Sequence, residues 1–158
     1  MCSTWLIDQN KYYLIDVLRG RFDYPTLKAR VLEHASLHKP SKILIEDAGV
    51  GMALVQELRA GSRFSVIPIK PEHDKMTRMS IQSGKFESGR VYLPERACWL
   101  PELEAELFAF PGSRYDDQVD SNSQALAHDI GGSWDVNSLT DLNEVLARLV
   151  MHRFGRRW

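Results

Sequence analysis

Ile43-Leu44-Ile45-Glu46-Asp47-Ala48-Gly49-Val50-Gly51 is the stretch whose reading decides the fold. Its apolar, β-branched start follows the breaker Lys39-Pro40-Ser41 and predicts a short buried strand over Lys42–Glu46. Met52–Arg59, with Leu54, Val55 and Leu58 at helical spacing, reads as a helix that Gly61 ends, and Phe64–Ile69 as the next strand. Strand, helix and strand with connections this short imply a right-handed parallel crossover. Glu46 and Asp47 then stand at the carboxyl end of a parallel strand, where open α/β sheets hold their ligands.

Outward from this unit the pattern stays α/β. Ser3–Ile7 and Tyr12–Leu18 are aromatic and β-branched, with the turn residues Asp8-Gln9-Asn10-Lys11 between them, and predict a hairpin. Leu27, Val31, Leu32 and Ala35 follow Pro25 at helical spacing and predict a helix over Tyr24–Leu37. Downstream, a helix is expected over His73–Ser83 and a short strand over Arg90–Leu93, hairpinned with Lys85–Glu87. Further helices are expected over Pro101–Phe108, Tyr115–His128 and Leu139–Met151, the last beyond a Gly131-Gly132-Ser133 joint. This divides the chain into a domain over residues 1–130 and a helical extension over 131–158.

Composition narrows the class. The 158 residues, 44% hydrophobic and 26% charged, can bury a real core. A net charge of −1 provides no overall positive field, so any grip on nucleic acid must come from local clusters. Cys2 and Cys98 are far apart, which argues against structural zinc and for a reducing compartment. The first residues lack the basic and apolar runs of a signal peptide, and no stretch approaches the roughly 20 apolar residues of a membrane span. The expected location is cytoplasmic.

A second acidic run, Tyr115-Asp116-Asp117-Gln118-Val119-Asp120, opens a predicted helix. Acids suit the positive end of a helix dipole, which accounts for one aspartate better than for two adjacent ones followed by a third. Mutual repulsion within such a cluster is relieved by a bound cation. Asp47 reads first as the cap of the helix after it. Glu46 has no such duty, and a glutamate closing an apolar strand is expected to bind something, since charges are rarely buried unpaired. Two carboxylate pairs at element junctions suit hard divalent cations such as Mg²⁺ or Mn²⁺ and, through paired metals, phosphodiester chemistry.

Four separated motifs in order carry a resemblance. They are Tyr12–Val17; Ile45–Gly51; Lys70-Pro71 with Asp74-Lys75-Met76-Thr77-Arg78; and Phe110-Pro111-Gly112 with Tyr115–Asp120. Together they resemble the carboxy-terminal nuclease domain of tailed-phage terminase large subunits, over most of the chain to about His128. The resemblance implies a ribonuclease-H-like mixed sheet flanked by helices and a metal-dependent endonuclease that cuts concatemeric DNA during packaging. It implies double-stranded DNA, the portal and the small terminase subunit as partners. It also implies three metal-binding acids, of which the fourth-strand position maps onto Glu46 and the helix position onto Asp117, with Asp116 assisting. For the first-strand aspartate the candidate offered by this sequence is Asp8. The first strand itself is expected ahead of the hairpin and is missing here, and Asp8 lies in the hairpin turn rather than on a central strand.

A chain so reduced is expected to pair Met1–Ile7 beside Lys42–Glu46 or to dimerise through an exposed sheet edge, and to cut DNA poorly. The alternative reading is an inactive prophage remnant that binds DNA or packaging proteins. No phosphate loop of an ATPase motor is present. Lys70, Lys75 and Arg78 are the expected phosphate contacts, Lys75 and Arg78 sharing a helical face. Arg153, Arg156, Arg157 and Trp158 form a basic aromatic tail suited to DNA or simply to a frayed terminus. His34 and His38, one helical turn apart, read as a solvated helix face.

Overall fold

Gln9 and Asn10 both take positive φ, 43° and 67°, the pair of left-handed conformations that a two-residue hairpin turn requires. The computed structural model describes residues 1–112, 117–128 and 151–153. In chain order the elements are β1 (Cys2–Asp8), β2 (Lys11–Leu18), α1 (Tyr24–His38), β3 (Ile43–Glu46), α2 (Val50–Gly61), β4 (Val66–Ile69), α3 (Lys75–Glu87), β5 (Val91–Pro94), α4 (Leu100–Ala109), α5 (Asp117–Ala127) and β6 (Met151–Arg153). They fall into two compact units. One comprises Met1, Ser3–Val17 and the described residues from Lys75 on; the other is Leu18–Asp74 with Cys2.

The first unit is built on a mixed sheet in the order β1-β2-β5-β6. The hairpin stands as the sequence predicts. Arg90 donates to Asn10 Oδ1 at 2.8 Å, fastening the turn to the approach of β5. β5 runs parallel to β2, with Tyr12 opposite Val91 and Tyr13 opposite Tyr92. The two rings of the second pair stack 4.8 Å apart. Burial and the neighbouring Tyr92 and Asp8 push the Tyr13 phenol above its ordinary range. Tyr12, Leu14, Val91 and Leu93 face a core completed by Phe86, Leu100, Leu103, Leu107, Val119 and Leu126 from α3, α4 and α5.

Three expectations are corrected in this unit. Lys85–Glu87 is no strand: it is the last turn of α3, which runs four residues past Ser83. The buried stripe of α3 is Arg78, Gln82 and Phe86, so its inward face is largely polar and apolar periodicity loses it. β5 therefore takes β2 as its partner instead of forming a hairpin with the residues before it. Cys2–Asp8 pairs in the β2 sheet, so the expected shift of Met1–Ile7 to the flank of Lys42–Glu46 does not occur. The expected helix Leu139–Met151 lies outside the described residues except for Met151, which belongs to β6, antiparallel to β5. Asp116, the remainder of 131–158 and the arginine tail beyond Arg153 also lie outside them.

The second unit is the parallel pair β3–β4 with α1 and α2. The register runs from Ile43 opposite Val66 to Glu46 opposite Ile69. Val31, Leu54, Val55, Leu58 and Val66 form its own core, flanked by Leu27, Leu32, Ile43, Ile45 and Phe64. α1 begins where Asp23 Oδ1 accepts the Thr26 N–H at 3.0 Å, with Pro25 in the first turn. It ends at Lys39, whose φ of 46° is left-handed, immediately before Pro40, as the breaker predicts. Lys28 and Glu57 join α1 to α2 at 2.5 Å. No helix among the described residues is long and apolar enough to cross a membrane.

Candidate functional site

The first predicted carboxylate pair closes β3. Asp47 N–H donates to Ile69 O at 2.8 Å, which carries the parallel ladder one residue beyond the strand. The chain then turns sharply: Ala48 N–H reaches Glu46 O at 2.9 Å, and Gly51 N–H reaches Ala48 O at 2.9 Å. Gly49, at φ 52°, is the residue before the helix. A Cβ on Gly51 would stand 2.0 Å from Glu46 O, so only glycine lets α2 start this close to the strand end. The expected capping role of Asp47 is not observed. Gly49 occupies the cap position of α2 with no side-chain bond, and the Asp47 carboxylate instead lies 3.9 Å from Lys70 Nζ. Glu46 is exposed, so the reason for its place at the end of an apolar strand is not a buried pairing. Lys70, immediately after β4, is also exposed, with 82% of its side chain accessible.

The second predicted pair opens α5. Asp117 is the first helical residue and is exposed. The first N–H groups of any helix lack intrahelical partners. Here those of Gln118 and Val119 donate to Glu106 Oε1 at 2.6 and 3.2 Å, and Gln118 Nε2 donates to Glu106 Oε2 at 2.8 Å. Glu106 reaches across from α4 and is 6% exposed. The opposite end of α5 is held as well: Lys85, from α3, donates to Leu126 O while its ammonium lies 4.6 Å from the Tyr12 ring centroid. A carboxylate at the amino end and an ammonium at the carboxyl end complement the helix dipole from both sides.

Asp120, one turn further along α5, is ion-paired with Arg78 and lies 3.9 Å from Lys75 Nζ. Lys75 and Arg78 thus share a helical face, as their spacing predicts, and that face meets an acid. The Arg78 side chain is 10% exposed. The repulsion expected among the aspartates is met in part by the protein's own cations. Glu106, Asp117 and Asp120 gather at the first turns of α5, and two cations answer Asp120. Asp117 forms no ion pair with another described residue.

Sequence reading missed Glu106 and Lys85. A signal for Glu106 exists: it falls between Leu103 and Leu107 on the buried face of α4, where a charge must have partners. His34 and His38, expected on a solvated face, are half-buried. Their ring centroids are 4.5 Å apart and their ligating nitrogens lie within 4.8 Å of each other, so this chain also carries imidazoles suited to a divalent metal.

A mixed sheet packed by helices in one unit and a parallel crossover in the other make this an α/β protein. Residues 1–129 match the family model of the terminase RNase H-like domain, and the chain belongs to that family. No curated protein and no solved structure matches it.

Proposed function

We propose that this chain is the metal-dependent endonuclease domain of a phage DNA-packaging terminase, cutting concatemeric double-stranded DNA in the cytoplasm of a bacterial host. Family membership supports the class of activity. The observation that carries the site is at α5: Glu106 takes the helix-capping bonds, and Asp117 heads the helix with its carboxylate exposed. An acid released from capping is available to a ligand.

The donor set suits the cation. Glu46 and Asp117 offer exposed carboxylate oxygens, the hard ligands preferred by Mg²⁺ and Mn²⁺. Asp116 precedes Asp117 in sequence and is assigned as the assisting acid. Such ions, when bound, activate water and stabilise the departing 3′ oxygen. Lys70 and Lys75 are assigned to the DNA backbone, where contacts position the duplex without reading its sequence. Arg78 enters this reading through Asp120, which it holds on α5. Residues 131–158 are assigned as an extension to the nuclease domain, and the portal and small terminase subunit as its packaging partners.

A Mn²⁺ titration followed by thermal shift tests the reading, together with plasmid cleavage under the same conditions. Saturable stabilisation of the wild type is expected, lost in Asp117→Asn and in Glu46→Gln, with cleavage following the same dependence. Lys70→Ala/Lys75→Ala should flatten the dependence of log DNA affinity on log salt by about one to two phosphate contacts. Equal metal responses in wild type and Asp117→Asn would remove the site from α5. Metal-independent DNA binding without cleavage would make the domain a binding module.

A further inference from the structure

We infer that Glu106 is a positioning residue for the metal-binding end of α5: its buried carboxylate fixes the backbone from which Asp117 projects and leaves the Asp117 carboxylate for a cation. The inference rests on the metal reading of Asp117 and deepens it.

The argument begins with the unusual place of the charge. Glu106 is 6% exposed, and its hydrogen bonds go to the Gln118 and Val119 N–H groups and to the Gln118 amide. Burying a carboxylate is unfavourable unless it is fully bonded. The three bonds that the Glu106 carboxylate accepts from described residues all come from the first turn of the helix that Asp117 opens. Gln118 itself is 1% exposed, so that turn is gripped through backbone and side chain together.

An N-terminal cap is ordinarily a local matter, supplied by the residue just before the helix. In α5 the second and third helical N–H groups are already taken by a residue twelve and thirteen positions before them in sequence. The Asp117 carboxylate is therefore not required by these two N–H groups. A capping aspartate spends its oxygens on backbone N–H groups, whereas a ligating one must present them outward. Glu106 separates the two duties. It also brings a second carboxylate to the first turn of α5, which raises the attraction for a divalent cation at Asp117 over that of an aspartate alone. Groups that orient ligands in this way typically change metal affinity 10–100-fold when altered.

The test compares full-length wild type, Glu106→Gln and Glu106→Ala. Glu106→Gln keeps an acceptor oxygen of the same reach and removes the charge; Glu106→Ala removes both. Hydrogen exchange at the Gln118 and Val119 amides reads the cap without any metal. A Mn²⁺ titration, read by paramagnetic broadening of α5 amides, reads the site. The wild type should show both amides protected and a saturable Mn²⁺ response. Glu106→Gln should retain most of the protection and the fold while its half-saturating Mn²⁺ concentration rises by about 10-fold. Glu106→Ala should lose the protection and shift the midpoint further. If Glu106→Ala does not fold, the Glu106→Gln midpoint decides alone. Folded variants with the wild-type midpoint would overturn the positioning role and leave the metal reading standing. A wild type with no broadening near Asp117 would overturn both, and the failure would then be visible before any variant is made.

Discussion

Helices α1 and α5 each begin on a carboxylate, and the two carboxylates arrive by opposite routes. Asp23 caps α1 from three residues before its partner, fully in solvent. Glu106 caps α5 from a different helix, inside the core of the first unit. The first arrangement serves only the helix it belongs to. The second ties the start of α5 to α4, while Arg78 and Lys85 tie its body and its end to α3. A helix held at three points by distant charged side chains is fixed as part of the packed unit, which is what a ligand-bearing helix needs. Helix α2 shows a third solution, a start held by backbone alone through Gly49 and Gly51.

The largest expected effect lies at the tertiary clamp of α5. Arg78→Met leaves Asp120, 16% exposed at its side chain, with one distant lysine in place of a close guanidinium. Breaking a buried pair from one side typically costs about 3–5 kcal/mol. The Arg78→Met/Asp120→Leu double variant removes both charges and should recover a large part of that loss. Urea unfolding of the four members of the cycle measures the coupling. Strictly additive losses would mean that the pair does not act as a unit, and the contrast between a distantly clamped α5 and a locally capped α1 would weaken.

A smaller effect is expected where backbone does the holding. Gly51→Ala places a methyl group 2.0 Å from Glu46 O, so either the strand end or the start of α2 must shift. Overpacking of this kind costs about 1–3 kcal/mol, against a gain of about 0.5–1 kcal/mol from the better helix former. Gly61→Ala, with nothing within 4 Å of its added methyl group, is the control and should be neutral or slightly stabilising. Denaturant midpoints decide. If the two variants behave alike, the close approach at the turn does not constrain Glu46.

What could be seen in the sequence follows the same division between local and distant control. The hairpin, α1 and the β3–α2–β4 crossover were legible because their signals are short-range. Asn10 suits a left-handed turn, Pro25 a first helical turn, and Ile43–Ile45 a buried strand. The placement of Glu46 at a parallel strand end follows from the crossover, and that of Asp117 in a first helical turn from the helix expected over Tyr115–His128. What stayed hidden depends on residues far apart in sequence. The inward face of α3 carries Arg78 and Gln82, polar side chains that hydrophobic periodicity assigns to solvent, and so its last turn reads as a strand in the sequence. Glu106 falls at the spacing of the buried Leu103 and Leu107, but its partners on α5 are visible only once the two helices pack. Asp47 fits every local rule for a cap, yet the tight turn through Gly49 brings Gly51 to the strand end and leaves the cap to backbone.

The smallest expected effect tests the local half of the comparison through pH. The hydrogen bond from Thr26 holds the Asp23 carboxyl below its ordinary value. A carboxylate whose pKa is lower in the folded state stabilises that state while ionised in both. The contribution is therefore complete above the ordinary aspartate range. It falls as pH drops through that range and is gone once pH passes below the lowered folded value. Asp23→Asn keeps a good cap without the titration, since asparagine caps as well as aspartate does. Wild type and variant should have similar urea midpoints at neutral pH. Below about pH 4 the wild type should fall relative to the variant, because only the wild type loses an ionised cap there. Midpoints that stay parallel down to pH 3 would show that the Thr26 bond does not depend on the carboxylate charge. The purely local cap of α1 would then owe its strength to geometry, and charge would matter only at the buried cap of α5.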